Sequence, residues 1–269
     1  MIRRIPLVLF ACAMFVPLAA ACGGSSTPET IRNAQGTVIA SNDAKSSPTV
    51  EMPVSRFAVS LDDLDTTAYR TDVNGVFDLN ASNYGATATF DSAAKGKQML
   101  EGWGYKGGYE AGYLPISAPQ SVLNGSYYIN VEIHLFGKAD GAKSAYDYFK
   151  QRIGKSGAKQ EDAPQLGNES VGYSAANGLI SGTEVGATIE QFMFRRGNVV
   201  GVVFVYGATG FMNINTARAL AVIEDNKILG KAKAIAPTPI SNFTPNSGTG
   251  QGIKPTTTPA AGSPTAAGQ

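Results

Sequence analysis

In the stretch GWGYKGGYEAGYLPIS, residues 102 to 117, Trp103, Tyr105, Tyr109 and Tyr113 fall on odd positions, with Gly107 and Ala111 completing the series. Side chains alternate along an extended strand. The rings would then share one face, with Gly104, Lys106, Gly108, Glu110 and Gly112 on the other. Such a row can stack on sugars or other planar ligands, the glycines behind it permitting a close approach. It can also fill the space under a helix, with its polar atoms at the rim. The core reading is favoured, because large aromatic side chains need no ligand to justify their burial. Arg195 and Arg196 stand just before a Gly-Asn pair. From a hairpin tip they could grip a carboxylate or phosphate, although charges at turns are ordinarily solvated.

The remaining reactive residue types form no catalytic constellation. His134 is the only histidine in the chain. One imidazole builds neither a zinc site nor a nucleophile relay, and its place beside Asn130 and Glu132 reads as a surface position. Asp62, Asp63 and Asp65 in LDDLDTT lack the glycine and distal glutamate of a calcium loop, so a turn or helix start is expected. GATG, residues 207 to 210, lacks the Lys-Ser/Thr of a phosphate loop. No catalytic residue, metal ligand or cofactor is expected. A carboxylate-only hydrolase is the least supported class, since nothing selects two acids flanking a cleft.

These residues must be positioned by regular elements. In SYYINVEIHLFG, Tyr127, Ile129, Val131, Ile133 and Leu135 alternate with polar neighbours, the signature of a strand with one buried face. The next segment, KADGAKSAYDYFKQRIGK, places Ala142, Ala145, Tyr146, Phe149 and Ile153 on one side of a helix. TEVGATIEQFMFRRGNVVGVVFVYGA holds two apolar runs around Arg195-Arg196-Gly197-Asn198 and predicts a tight hairpin. NINTARALAVIEDNKILG predicts a last helix, capped by Asn213 or Asn215 and stopped by Gly230. DSAAKGKQMLEGW predicts a shorter helix, weakened by Gly96. Hairpin-joined strands with helices between groups indicate an α+β domain, an antiparallel sheet with helices packed on one face.

The chain opens MIRRIPLVLFACAMFVPLAAACGGSS, with Arg3 and Arg4, an apolar run from Ile5 to Leu18, and small residues Ala19 to Ala21 before Cys22. This is the layout of an export signal. Its end resembles the lipobox of bacterial lipoproteins, in which the cysteine is joined to diacylglycerol and becomes the mature terminus. Here Ala19 stands where that family favours leucine. The chain has 2 cysteines, and Cys12 lies inside the signal, so the mature domain is expected without a disulfide or a thiol nucleophile. Without Arg3 and Arg4 the 22 basic residues become 20 against 21 acidic ones, a balance that excludes nucleic acid as a partner.

Composition divides the chain into a signal peptide (1–21), a lipidated Cys22 with a flexible tether (22–49), a folded domain (50–236) and a Pro, Thr and Gly-rich tail (237–269) predicted to be disordered. The succession INVEIHLFGKADGAKSAYDYFKQR, LGNESVGYS, FMFRRGNVVGVVFVYG and NTARALAVIEDNKI resembles uncharacterised extracytoplasmic bacterial lipoprotein domains. The resemblance implies a PsbP/Mog1-like layout and brings no catalytic residue. The usual aspartate of its turn is Asn168 here. The reading that unites these features is a lipid-anchored, extracytoplasmic, non-catalytic binding or accessory module of the cell envelope. Its expected partners are the membrane through the anchor and a small-molecule, glycan or protein ligand. A structural envelope protein with a wall-facing tail is the alternative. Wild-type protein is expected in the membrane fraction with acyl chains on Cys22, each buried methylene contributing about 0.8 kcal/mol. Cys22→Ser should lose the lipid mass, as read by mass spectrometry of both fractions.

Overall fold

The computed structural model describes residues 31–32, 38–40, 47–51 and 53–234. The expected signal peptide (1–21), Cys22 and the expected tail (237–269) lie outside these residues. Two short strands, β1 (Ile31–Arg32) and β2 (Val38–Ala40), pair antiparallel within the segment expected to be a tether.

The domain is built on an antiparallel sheet of seven strands: β3 (Tyr69–Leu79), β4 (Tyr105–Pro115), β5 (Tyr127–Phe136), β6 (Lys159–Glu161), β7 (Glu169–Leu179), β8 (Gly186–Arg196) and β9 (Val199–Ala208), in spatial order β3-β4-β5-β9-β8-β7-β6. Among the described residues five α-helices accompany it: α1 (Ala81–Gly85), α2 (Ala93–Gly102), α3 (Gln120–Leu123), α4 (Ala139–Lys155) and α5 (Ile214–Ile228). The fold is α+β, as the alternation of strands and helices implies.

The helices divide between the two faces of the sheet, which corrects the expectation that they share one. Val199, Val203 and Val205 of β9 join Ile129, Val131 and Ile133 of β5 in a core closed by Ala217, Leu220 and Ala221 of α5. On the reverse face Val200 and Val202 meet Ala142, Ala145, Tyr146 and Phe149 of α4, with Leu100 of α2 and Tyr84 of α1. The physical reason is legible in β9, where residues of both parities are apolar: VVGVVFVYG has no solvent face to offer. Burying Tyr146 and Phe149 stabilises the α4 layer by roughly 2 to 3 kcal/mol per side chain.

Local chemistry sets the element boundaries. The Asn213 side chain accepts the Asn215 N–H at 3.0 Å and opens α5, while Gly230, at φ 68°, lies just beyond its end. β8 and β9 are joined by Gly197 and Asn198 alone, with Arg196 paired to Val199. Gly197 supplies the positive φ of 57° that the two-residue turn requires.

This turn also holds the start of the domain. Asn198 accepts the Val50 N–H at 2.9 Å and donates to the Val50 and Phe136 carbonyls at 3.0 and 2.8 Å. Residues 53 to 64 continue as a strap across the α5 face, where Ala58 and Val59 are fully buried. The Tyr113 hydroxyl donates to the Val59 carbonyl at 2.6 Å, and the Lys227 ammonium donates to the Ala58 carbonyl at 2.7 Å and pairs with Asp63. The Asp62, Asp63 and Asp65 cluster is thus a helical start: Asp63 closes a capping box with Ser60, and Asp65 accepts the Thr67 N–H at 2.9 Å. Asn198→Ala removes three hydrogen bonds and strands a buried carbonyl. It should lower the unfolding free energy by about 3 kcal/mol, read as a reduced urea midpoint at unchanged slope.

Candidate functional site

β4 and β5 are aligned so that Glu110 stands directly opposite Glu132, Gly108 opposite His134 and Gly112 opposite Asn130. All six residues lie on the α4 side of the sheet, since their odd-numbered neighbours Tyr109, Ala111, Val131 and Ile133 fill the α5-side core. Two glutamates facing one another across adjacent strands repel. The surrounding groups answer that repulsion.

The Tyr105 hydroxyl lies 3.2 Å from His134 Nδ1, and His134 Nε2 lies 3.1 Å from Glu132 Oε2. With its proton on Nε2 the ring accepts from Tyr105 and donates to Glu132. Tyr84 of α1 donates to the same Glu132 Oε2 at 3.3 Å, and its ring lies 4.3 Å from that of His134. Asn130 Nδ2 donates to Glu110 Oε1 at 2.8 Å. The Glu110 carboxyl is pushed up to about 8, by burial first and the Glu132 carboxylate next, with the Asn130 hydrogen bond opposing. The Tyr84 and Tyr105 hydroxyls are raised well above their ordinary value by burial and by Glu132. Gly108 is needed here, because a Cβ would come 2.5 Å from the Tyr105 hydroxyl and 3.0 Å from His134 Nδ1.

Glu132, Asn130 and Tyr84 form part of the lining of a cleft of about 600 Å³ between the second half of α4 and the sheet. Its walls are largely apolar, with Phe149 and Ile153 from α4 and Met193, Val202 and Phe204 from β8 and β9. Arg152 and Lys155 also line it, and Arg152 is engaged with Asp91 at 2.9 Å. An apolar cleft with a few convergent polar groups has the form of a small-molecule site.

The residues singled out from the sequence are distributed otherwise than expected. The aromatic row is not one face: Trp103 caps the end of α2, and a register shift between Tyr105 and Gly107, at φ 141°, turns the strand over. Trp103 and Tyr105 therefore join the α4-side core, whereas Tyr109 and Tyr113, 6% and 1% exposed, belong to the α5 side. Trp103 packs among Phe90, Tyr148 and Phe149. Arg195 and Arg196 are the last residues of β8 rather than the turn. Arg195 pairs with Glu169, and Arg196, fully buried, holds both oxygens of Asp225 at 2.7 Å. His134 is fully buried rather than on the surface, because α1 and α4 cover the face that the alternation had left to solvent. Asn168 accepts the Gly197 N–H at 2.7 Å, a bracing role at the hairpin. Among the described residues, no group of three or more His, Cys, Asp or Glu side chains is placed to hold a metal ion. Among them too, no helix is long and apolar enough to cross a membrane.

The polar cluster of Glu110, Asn130, Glu132 and Tyr84 was not singled out from the sequence. Its signal was the alternation of Asn130, Glu132 and His134 within an otherwise apolar strand. Between the ordinary value of 4.5 and about 8 the folded chain keeps a proton on Glu110 that the unfolded chain has released. Stability from this group is therefore fully present below that window and is lost as pH rises through it. Glu110→Gln should flatten the fall in urea midpoint between pH of about 5 and about 8, by no more than about 1.4 kcal/mol per pH unit.

No protein-family model and no curated protein matches the chain. Among solved structures, the crystal structure of the extracellular domain of PknH from Mycobacterium tuberculosis is similar, with a TM-score of 0.44 and 14% identity, covering 68% of this chain and 98% of that one.

Proposed function

We propose that the chain is a bacterial lipoprotein: a module anchored through Cys22 on the extracytoplasmic side of the cell membrane, which holds an amphiphilic small molecule in the cleft between α4 and the sheet. The observation that carries the binding reading is the cleft itself, about 600 Å³ with apolar walls and a polar floor of Asn130, Glu132 and Gln191. Hydrocarbon surface transferred from water to such walls gains roughly 25 cal/mol per Å², and the polar floor fixes orientation. The anchor rests on the basic pair, the apolar run and the small residues before Cys22. The floor offers hydrogen-bond acceptors rather than an activated nucleophile, in keeping with a binding role. Glu110 and Glu132 sit side by side on neighbouring strands, whereas a glycosidase pair must flank the scissile bond.

The test is occupancy of the cleft. N-phenyl-1-naphthylamine, a neutral apolar dye, should bind the folded domain with enhanced fluorescence. Ala175→Trp, which inserts a ring from β7 into the cleft lining, should reduce that binding by about tenfold or more without lowering the urea midpoint. Equal dye binding by both proteins would overturn the reading.

A further inference from the structure

Resting on the cleft as a binding site, we infer that its ligand is an amphiphile with a cationic, hydrogen-bond-donating head, an alkylammonium group, seated on Glu132 and Asn130 with its apolar body along α4. Three observations support this class. The two hydrogen bonds from Tyr84 and His134 both fall on Glu132 Oε2, so Oε1 takes none from the described residues, and this carboxylate, 12% exposed, lines the cleft. Asn130 also lines the cleft, and its Oδ1 is buried without a donor. Two acceptors with free lone pairs in a site of low dielectric constant call for donors, and a charged donor is worth about twice a neutral one. Elsewhere, an orphaned buried acceptor would cost about 1 to 3 kcal/mol with no return.

The charge nearest the two acceptors is that of the Glu132 carboxylate. Glu110 faces Glu132 from β4, Tyr84 approaches from α1, His134 and Tyr105 lie behind Glu132 in its hydrogen-bond network, and Arg152 and Lys155 stand on α4. Arg152 is already engaged by Asp91. An anionic head could use Lys155 but would have to turn its charge away from the Glu132 carboxylate. Burial next to a carboxylate penalises any anion and rewards a cation.

The experiment compares decylammonium, decanol and decanoate, each below its micellar concentration, by isothermal titration calorimetry against the folded domain. N-phenyl-1-naphthylamine binding serves as the measure of an intact cleft. Decylammonium is expected to bind about tenfold or more tighter than decanol, with decanoate the weakest. Glu132→Gln keeps the shape and an acceptor but removes the charge. It should bring decylammonium close to decanol, and Lys155→Gln, which removes a cation from the lining, should not weaken decylammonium binding. Decanoate equalling decylammonium, or Glu132→Gln leaving decylammonium unaffected, would overturn the cationic head. So would dye binding with no response to any decyl compound. Failure of the dye as well would instead remove the binding reading beneath it.

Discussion

The register of β4 on β5 is the constraint on which both the core and the cleft depend. Tyr109 opposite Ile133, Ala111 opposite Val131 and Tyr113 opposite Ile129 place all six side chains in the α5-side core. A slip of one residue would turn them to the other face and expose the polar set to that core. The apolar side thereby dictates what happens on the reverse: once it is locked, Glu110 must face Glu132 and Gly108 must face His134, and the bulge at Gly107 then turns the Tyr105 hydroxyl onto that histidine. The electrostatic character of the cleft floor is a by-product of hydrophobic pairing on the opposite side of the same two strands.

Covering both faces of the sheet forces polar groups inward, and the two layers handle them differently. On the α4 side the polar groups share protons along Tyr105, His134, Glu132 and Tyr84, and one edge of the network stays open to the cleft. On the α5 side the ionic groups are closed off. Arg196 meets Asp225 in a bidentate pair, and Lys227 meets Asp63 and the Ala58 carbonyl. Glu224, fully buried, accepts the Val59 N–H at 3.3 Å, and burial before all else drives its carboxyl well above the usual range. Both faces hold buried acceptors without a partner, Glu224 Oε2 on the α5 side and Asn130 Oδ1 on the α4 side, but only Asn130 lines the cleft, and that access is why the candidate site lies on the α4 side.

Much of the fold was legible because its elements carry strong local signals. β5, α4, the β8–β9 hairpin and α5 lie within a few residues of their expected places, each marked by period, cap or turn chemistry. β3 gave no such signal: YRTDVNGVFDL is an edge strand whose register jumps between Thr71 and Val76, so its side chains do not alternate cleanly. The aromatic row misled because a single bulge at Gly107 inverts a strand's parity, and nothing local separates a bulge glycine from one on a plain strand. Gly96, a weakness on helix propensity alone, is where α2 meets α1: a Cβ there would strike the Gly85 backbone. The site itself was the least legible part. Its residues come from β4, β5 and α1, and the apposition of Glu110 with Glu132 is a property of strand pairing that neither strand's own sequence contains.

The strap that leads from Val50 to Leu64 has a mechanical consequence. It is fastened to the hairpin turn through Asn198, to β4 through Tyr113, and to α5 through Lys227 and Glu224, before the chain enters the sheet at β3. β3 is an edge strand, and an edge strand pulled from its end opens like a zipper, one ladder bond at a time. Traction arriving along the chain before Val50 meets the strap first, where it is divided among a turn, a strand and a helix that must yield in concert. The edge of the sheet is thereby shielded from tension applied at the N-terminal side of the domain.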